Sequence, residues 1–354
     1  MRKLLTLAAL AALSTPALAA NADRELALEL AERLPAWQPR DANPDFAAPL
    51  GELVARHGLG NQVARLAERR DLATRAKRGL SQEMDQLLEV RLAHPAMGAA
   101  LAEGKAPLVA YIPDGDEKQW SAIEAFAADG SSHMLDVHRL PERPVFVVGE
   151  DGRKAHRAGI NLVRRSLKEA GYLAESQALA SVEPLSATLI KQIRVNDDQE
   201  PWLLGKAEVF AVVAGVDPSR DEPQVDVVDM PYLDHDGSNY YPNQILVYWD
   251  RYRWGAADVV FFEQDANYNY QELVSLLLEV LGQALAVGGV PEALPFIGLG
   301  QKIVEAMPGN WFTNDDDYLD SFYTLEQNQL YRDYPGASGN VWLTLEPKTI
   351  EPSQ

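Results

Sequence analysis

The spacing of hydrophobic residues changes several times along the chain. Across 50–103, Leu50, Leu53, Val54, Val63, Leu66, Leu72, Leu80, Met84, Leu87, Leu88 and Leu92 recur mostly at three- and four-residue steps. That period predicts several short amphipathic helices ending near Gly98 and Gly104. Three β-type runs follow, Leu108-Val-Ala-Tyr-Ile112, Met134-Leu-Asp-Val-His138 and Pro144-Val-Phe-Val-Val148, with Asp-Gly pairs at 114–115, 129–130 and 151–152. Turn residues between such runs predict a small meander. Residues 153–180 place Lys154, Arg157, Arg164, Arg165 and Lys168 around Leu162, Val163, Leu167 and Leu173, the pattern of an amphipathic basic helix that would connect two parts.

Beyond 185 the runs become strand-like, at 188–195, 206–213, 224–228, 243–249 and 258–263. Helical periodicity returns at 270–285 and 293–306, and strands resume at 322–325 and 340–345. The expected fold is α+β: an N-terminal helical region with a small antiparallel sheet, and a C-terminal antiparallel β-sandwich with an inserted helical pair. The expected divisions are a leader at 1–19, a helical and small-sheet domain at 20–152, a basic connector at 153–184 and an acidic sandwich at 185–350.

The leader expectation comes from Met1-Arg2-Lys3, an apolar Leu/Ala run over 4–13 and Ala17-Leu18-Ala19, which fits a small-x-small cleavage site. The run is shorter than the ~20 residues that span a bilayer. No later stretch is apolar for eighteen residues, so no integral membrane segment is expected after signal removal. An exported product, periplasmic or extracellular, is expected. The absence of Cys from all 354 residues suits an oxidising compartment and excludes disulfides, thiolate zinc sites and cysteine nucleophiles.

Charge separates the halves. Residues 1–180 carry 23 basic and 24 acidic groups, a net of −1, whereas 181–354 carry 9 and 28, a net of −19. A total of −20 repels phosphate backbones, so no nucleic-acid partner is expected.

Four acidic segments in the second half stand at predicted element ends: Asp217-Pro-Ser-Arg-Asp221, Asp234-His-Asp-Gly-Ser-Asn239, Asp265-Ala-Asn267 and Asn314-Asp-Asp-Asp317. Calcium takes six to eight oxygens, and neighbouring carboxylates that would repel one another are relieved by a divalent ion. Candidate ligands are therefore Asp217, Asp221, Asp234, Asp236, Asp265, Asp315, Asp316 and Asp317, with only a subset able to share one Ca2+. An EF-hand starting at Asp234 is excluded, because its sixth position is Asn239 rather than Gly and its twelfth is Ile245 rather than Glu.

The stretches from Leu204 to Asp221, Met230-Pro-Tyr-Leu-Asp234, Tyr241-Pro-Asn-Gln244, Tyr248-Trp-Asp-Arg-Tyr-Arg-Trp-Gly-Ala-Ala-Asp258 and Asn314-Asp-Asp-Asp-Tyr318 resemble a family of exported bacterial proteins known only as a domain of unknown function. The resemblance runs through most of the mature chain and implies no particular activity. More loosely, strands leading to Glu263-Gln-Asp265 and an Asp-rich run before a strand are similar to C2-like calcium-binding sandwiches.

None of His57, His94, His133, His138, His156 or His235 lies in His-Glu-x-x-His, and Gly-x-Ser-x-Gly, the P-loop and Gly-x-Gly-x-x-Gly are missing. The sequence therefore favours a non-catalytic, calcium-stabilised binding or structural module of the envelope or extracellular space, with a glycan or protein partner. The alternative is a secreted hydrolase with a carboxylate pair acting on carbohydrate or peptide. Asp229, Asp250, Glu263 and Asp265 beside Tyr240, Tyr241, Tyr248, Trp249, Tyr252 and Trp254 keep a sugar site in view, although aromatics on strands are more often core. Arg251 and Arg253 are expected to stack on those rings or pair with acids.

Overall fold

In the computed structural model the described residues are 16–39, 43–113, 119–174, 184–196, 202–205, 208–218, 222–233, 237–264, 268–287, 298–312 and 318–352. They form two units. One comprises Met1–Asp71, Leu88–Gly115 and Ser121–Gly149, and the other comprises Leu72–Leu87, Asp116–Trp120 and Glu150–Gln354.

The first unit holds α1 (Pro16–Glu32), α2 (Leu34–Trp37), β1 (Ala47–Pro49), α3 (Leu50–His57), most of α4 (Asn61–Lys77), β2 (Leu88–Leu92), α5 (Met97–Ala102), β3 (Leu108–Tyr111), β4 (Ala122–Phe126), β5 (Ser132–Asp136) and β6 (Val145–Glu150). Its six-stranded sheet runs β1-β2-β6-β3-β4-β5 and is mixed, because β3 and β6 are parallel. The expected small antiparallel meander is thus corrected: the β4–β5 hairpin carries the chain away from β3, and β6 returns to pair with β3 on its other edge. Strand β2 lies inside the stretch expected to be helical. Leu88, Val90 and Leu92 are buried while Glu89 and Arg91 are only half-buried, a period of two over five residues that a long series of three- and four-residue steps conceals.

The second unit begins with α6 (Gly152–Glu169), the basic stretch. Its N-cap Asp151 accepts a hydrogen bond from the Lys154 amide at 3.0 Å. Ala155, His156, Gly159, Ile160, Val163 and Leu167 form one buried face, so this helix is part of a core. Next come β7 (Leu185–Val195), β8 (Glu208–Val216), β9 (Pro223–Met230), β10 (Gln244–Tyr248), β11 (Ala256–Gln264), α7 (Tyr270–Val287), α8 (Leu299–Ala306), β12 (Tyr318–Glu326), β13 (Tyr331–Pro335) and β14 (Val341–Ile350). They make two four-stranded antiparallel sheets, β12-β11-β8-β9 and β10-β7-β14-β13. Helices α7 and α8 lie between strands β11 and β12 in the chain, as the sequence predicts.

Alternation along β8 explains the layering. Val209, Ala211 and Val213 join an apolar core shared with the β10-β7-β14-β13 sheet, whereas Phe210, Val212 and Ala214 face α6, α7 and α8. A strand covered on both sides reads as an unbroken apolar run, and Val209 to Ala214 does. By contrast Val341, Leu343 and Leu345 of β14 are buried while Trp342 and Thr344 are not fully covered, because only one face of that sheet lies on this core. The edge strand β13 is short, ends in Pro335 and contains Asp333 with φ +43°.

Two buried carboxylates act as brackets. Asp258 accepts from the Gly300 and Thr324 amides, both at 2.8 Å, tying β11 to α8 and β12. Asp320 accepts from Ser321, Ser338 and Val341 amides, each at 2.8 Å, and shapes the turn between β13 and β14.

Where α6 meets α7 the contact needs a glycine. A Cβ on Gly159 would lie 2.0–2.2 Å from Tyr270 ring carbons, whereas a Cβ on Gly282 of α7 would meet only the Tyr172 hydroxyl at 3.9 Å. Gly159→Ala should therefore lower the melting temperature, overpacking of about 1–3 kcal/mol outweighing the roughly 1 kcal/mol of helix propensity that Ala adds. Gly282→Ala should leave it unchanged or raise it. Thermal unfolding of both variants, monitored by circular dichroism, checks the contrast.

Candidate functional site

Three strands of the helix-covered sheet bring polar groups to one edge. Gln264 at the end of β11 pairs with Glu208 at the start of β8, and Asp229 near the end of β9 pairs with Phe210. Side chains two residues apart share a face, so Glu208 and Asp229 both point to the side of Phe210, toward α6. The first turn of α6 lies against them: the Glu208 carboxylate oxygens are 2.8 and 2.9 Å from where a Cβ on Gly152 would be.

One turn into α6, His156 Nε2 is 2.8 Å from Asp229 Oδ1. His156 Nδ1 lies 3.5 Å from the Tyr270 hydroxyl, which donates to Gln264 Oε1. His156 is 3% exposed, whereas Asp229 is half-buried, so the chain of contacts runs from the interior toward solvent. Beside it, Arg78 Nε donates to Glu150 Oε2 at 3.0 Å, and the Arg78 carbonyl accepts from the Tyr270 amide at 3.1 Å.

Charge in this cluster is unevenly compensated. Burial pushes the Glu208 carboxyl up from 4.5 to about 8, Glu150 and Asp151 add to the rise, and Arg78 and Arg153 oppose it. Glu208 therefore holds its proton at neutral pH. Burial likewise drives the Tyr270 phenol well above its ordinary range, so it stays a neutral donor. The arrangement can store and release a proton at Glu208 and offers a solvent-facing carboxylate at Asp229, steadied by His156.

The calcium candidates are distributed by topology. Asp217 follows β8 at the end opposite Glu208, its amide donating to the Glu222 carbonyl at 2.8 Å. Asp221, Asp234, Asp236, Asp265, Asp315, Asp316 and Asp317 lie outside the described residues. The elements that flank them are described. Register places the end of β11 (before Asp265), the start of β12 (after Asp317) and the end of β9 (before Asp234) at the Glu208 edge. The nine residues of β8 put the Asp217 end about 26 Å from that edge. Among the described residues no group of three or more His, Asp or Glu side chains could hold a metal ion. No helix among them is long and apolar enough to cross a membrane.

The aromatic residues are divided by burial. Trp249 and Tyr252 are core, while Tyr241 is 65% and Trp254 50% exposed. Trp254, at φ +63°, carries the Arg253 guanidinium 4.8 Å from its ring centroid. Arg251 lies 4.5 Å from the Tyr248 centroid and pairs with Asp226, so both arginines stack on rings and Arg251 also finds an acid.

A family model matches residues 23–353. The chain belongs to the family described as protein of unknown function, DUF3103. No curated protein and no solved structure matches it, so the C2-like likeness has no structural relative behind it. Family membership covers both units and names no chemistry, so function must be argued from the site. No linear pattern marks Glu208, Glu150 or Arg78. The available clue was a histidine and a glycine, His156 and Gly159, set among Ile160, Val163 and Leu167 on the apolar face of a basic helix.

The sign of the Glu208 effect follows from its raised value. Below 4.5 both folded and unfolded chains are protonated there; between 4.5 and 8 only the unfolded chain ionises, so this group's contribution to stability falls as pH rises, and above 8 the loss is constant. Glu208→Gln should match the parent near pH 4.5 and be more stable at pH 8.5, by up to about 2 kcal/mol since water screens part of the penalty. Urea unfolding of both proteins at the two pH values checks it.

Proposed function

We propose that this chain is an exported, non-catalytic binding or structural module of the envelope or extracellular space, stabilised by calcium. What supports the reading is that the strands leading to or from three of the acidic segments have those ends at one sheet edge. Strand ends adjoining Asp234, Asp265 and Asp315 to Asp317 meet the edge where Glu208 and Asp229 stand. Oxygen-only donors suit a hard divalent cation, and such an ion would relieve the repulsion among three consecutive aspartates. Asp217, just past the other end of β8, falls outside this set. Export is supported by the basic and apolar start, by the lack of Cys and by a family match that begins at residue 23, just past the expected cleavage point.

A second reading, hydrolysis by a carboxylate pair, has one observation in its favour. Glu208 keeps its proton at neutral pH while Asp229, on the neighbouring strand and the same face, reaches solvent. In that case turnover of a glycan or peptide substrate would disappear in Glu208→Gln.

Thermal unfolding in EDTA, in millimolar calcium and in millimolar magnesium tests the first reading. Calcium at 100 times its dissociation constant should add about 2.7 kcal/mol and raise the midpoint by several degrees, with magnesium inert. Asp265→Asn and Asp316→Asn should remove the rise while Asp217→Asn keeps it. An unchanged midpoint in calcium overturns the reading.

A further inference from the structure

The helices of the second unit pack on the β12-β11-β8-β9 sheet, and the β10-β7-β14-β13 sheet turns its other face outward. Register fixes what that outer face presents. Val341, Leu343 and Leu345 of β14 point into the core, so Trp342 and Thr344 point out, and so do their β7 partners Arg194 and Gln192. Tyr240 bridges Ile193 and packs inward, which sends Asn239 and Tyr241 to the outer side. A row of amides, cations and rings results.

The members of the row are held in place by one another. The Arg194 guanidinium lies 5.5 Å from the Trp342 ring centroid. Gln192 Nε2 donates to Asn239 Oδ1 at 3.0 Å, and Lys191 Nζ donates to Asn243 Oδ1. These pairs use one polar atom of each amide and, among the described residues, leave Gln192 Oε1 and Asn239 Nδ2 for another molecule. Tyr241 offers a ring that is 65% exposed and ready to stack.

We infer that this face binds an acidic polysaccharide, in an extension of the binding-module reading above. Pyranose rings present apolar C–H faces that lie on an aromatic ring, and hydroxyl pairs that match side-chain amides. Charge selects the acidic class: in a half with nine basic residues and a net of −19, β7 carries two cations three residues apart, Arg194 against Trp342 and, at the register shift opposite Thr344 and Leu345, Lys191 against Asn243. Among the described residues, Glu346, further along β14, and Asp333 of β13 border it. An acidic peptide is the lesser fit. Extended peptides add to sheet edges through their backbone rather than crossing a sheet face.

Affinity electrophoresis in EDTA tests the assignment, with sodium alginate as the polyuronate probe, dextran as the uncharged glucan and poly-L-glutamate as an acidic chain without sugar rings. Alginate should retard the protein, more at 50 mM than at 200 mM salt, while dextran and polyglutamate should not. Arg194→Ala and Tyr241→Ala should each weaken retardation about tenfold, equivalent to roughly 1.4 kcal/mol. Tyr241 is exposed, so its variant should keep the parent melting temperature and decides the matter if Arg194→Ala fails to fold. No retardation by alginate, equal retardation by polyglutamate, or retardation untouched by Tyr241→Ala overturns the inference. Because calcium is absent throughout, failure of the calcium reading does not affect the outcome.

Discussion

The second unit depends on burying both faces of the β12-β11-β8-β9 sheet. Phe210 and Phe262 stack at 5.3 Å on the helical side, and Phe261 meets Phe322 at 5.7 Å on the other. Apolar residues at consecutive positions of β8 and β11 cannot all be hidden by one partner layer, since successive side chains point to opposite faces. Helices must cover what the second sheet leaves bare. This explains why α7 and α8 are inserted between β11 and β12, and why a strongly basic segment such as α6 has a greasy side.

The same constraint locates the polar cluster. Where β8 begins and β11 ends, the helix-facing positions become Glu208 and Gln264, at the rim of the apolar layer. The N-terminus of α6 arrives at that rim with Gly152, whose missing side chain leaves room for the Glu208 carboxylate. Burial nonetheless outweighs both the helix terminus and the two arginines, and the acid stays neutral.

Much of this was legible beforehand. Strands β7 to β11, the helix from Tyr270 and the strands on either side of it stand near their expected positions because long, periodic segments declare themselves. Strand β2 was hidden by chance spacing in a Leu-rich stretch, and the parallel pairing of β3 with β6 is a long-range choice that no local pattern encodes. The cluster under α6 draws Arg78, Glu150, His156, Glu208, Asp229 and Tyr270 from positions almost two hundred residues apart. Such convergence leaves no linear motif. The acidic segments, by contrast, were conspicuous in sequence, but which of the strand ends flanking them lie at the Glu208 edge became clear only from strand direction. Asp258 and Asp320 had counted simply as surplus negative charge, and they are internal brackets for backbone amides.

The short strand β13 has a meaning beyond its own sheet. Open edges invite strands of neighbouring molecules, and this one combines a proline, which offers no amide, with a left-handed aspartate that breaks the regular repeat. The sheet that shows a broad face to solvent is thereby closed to growth along one side. A molecule built this way can display one face of a sheet while having little tendency to polymerise through that edge.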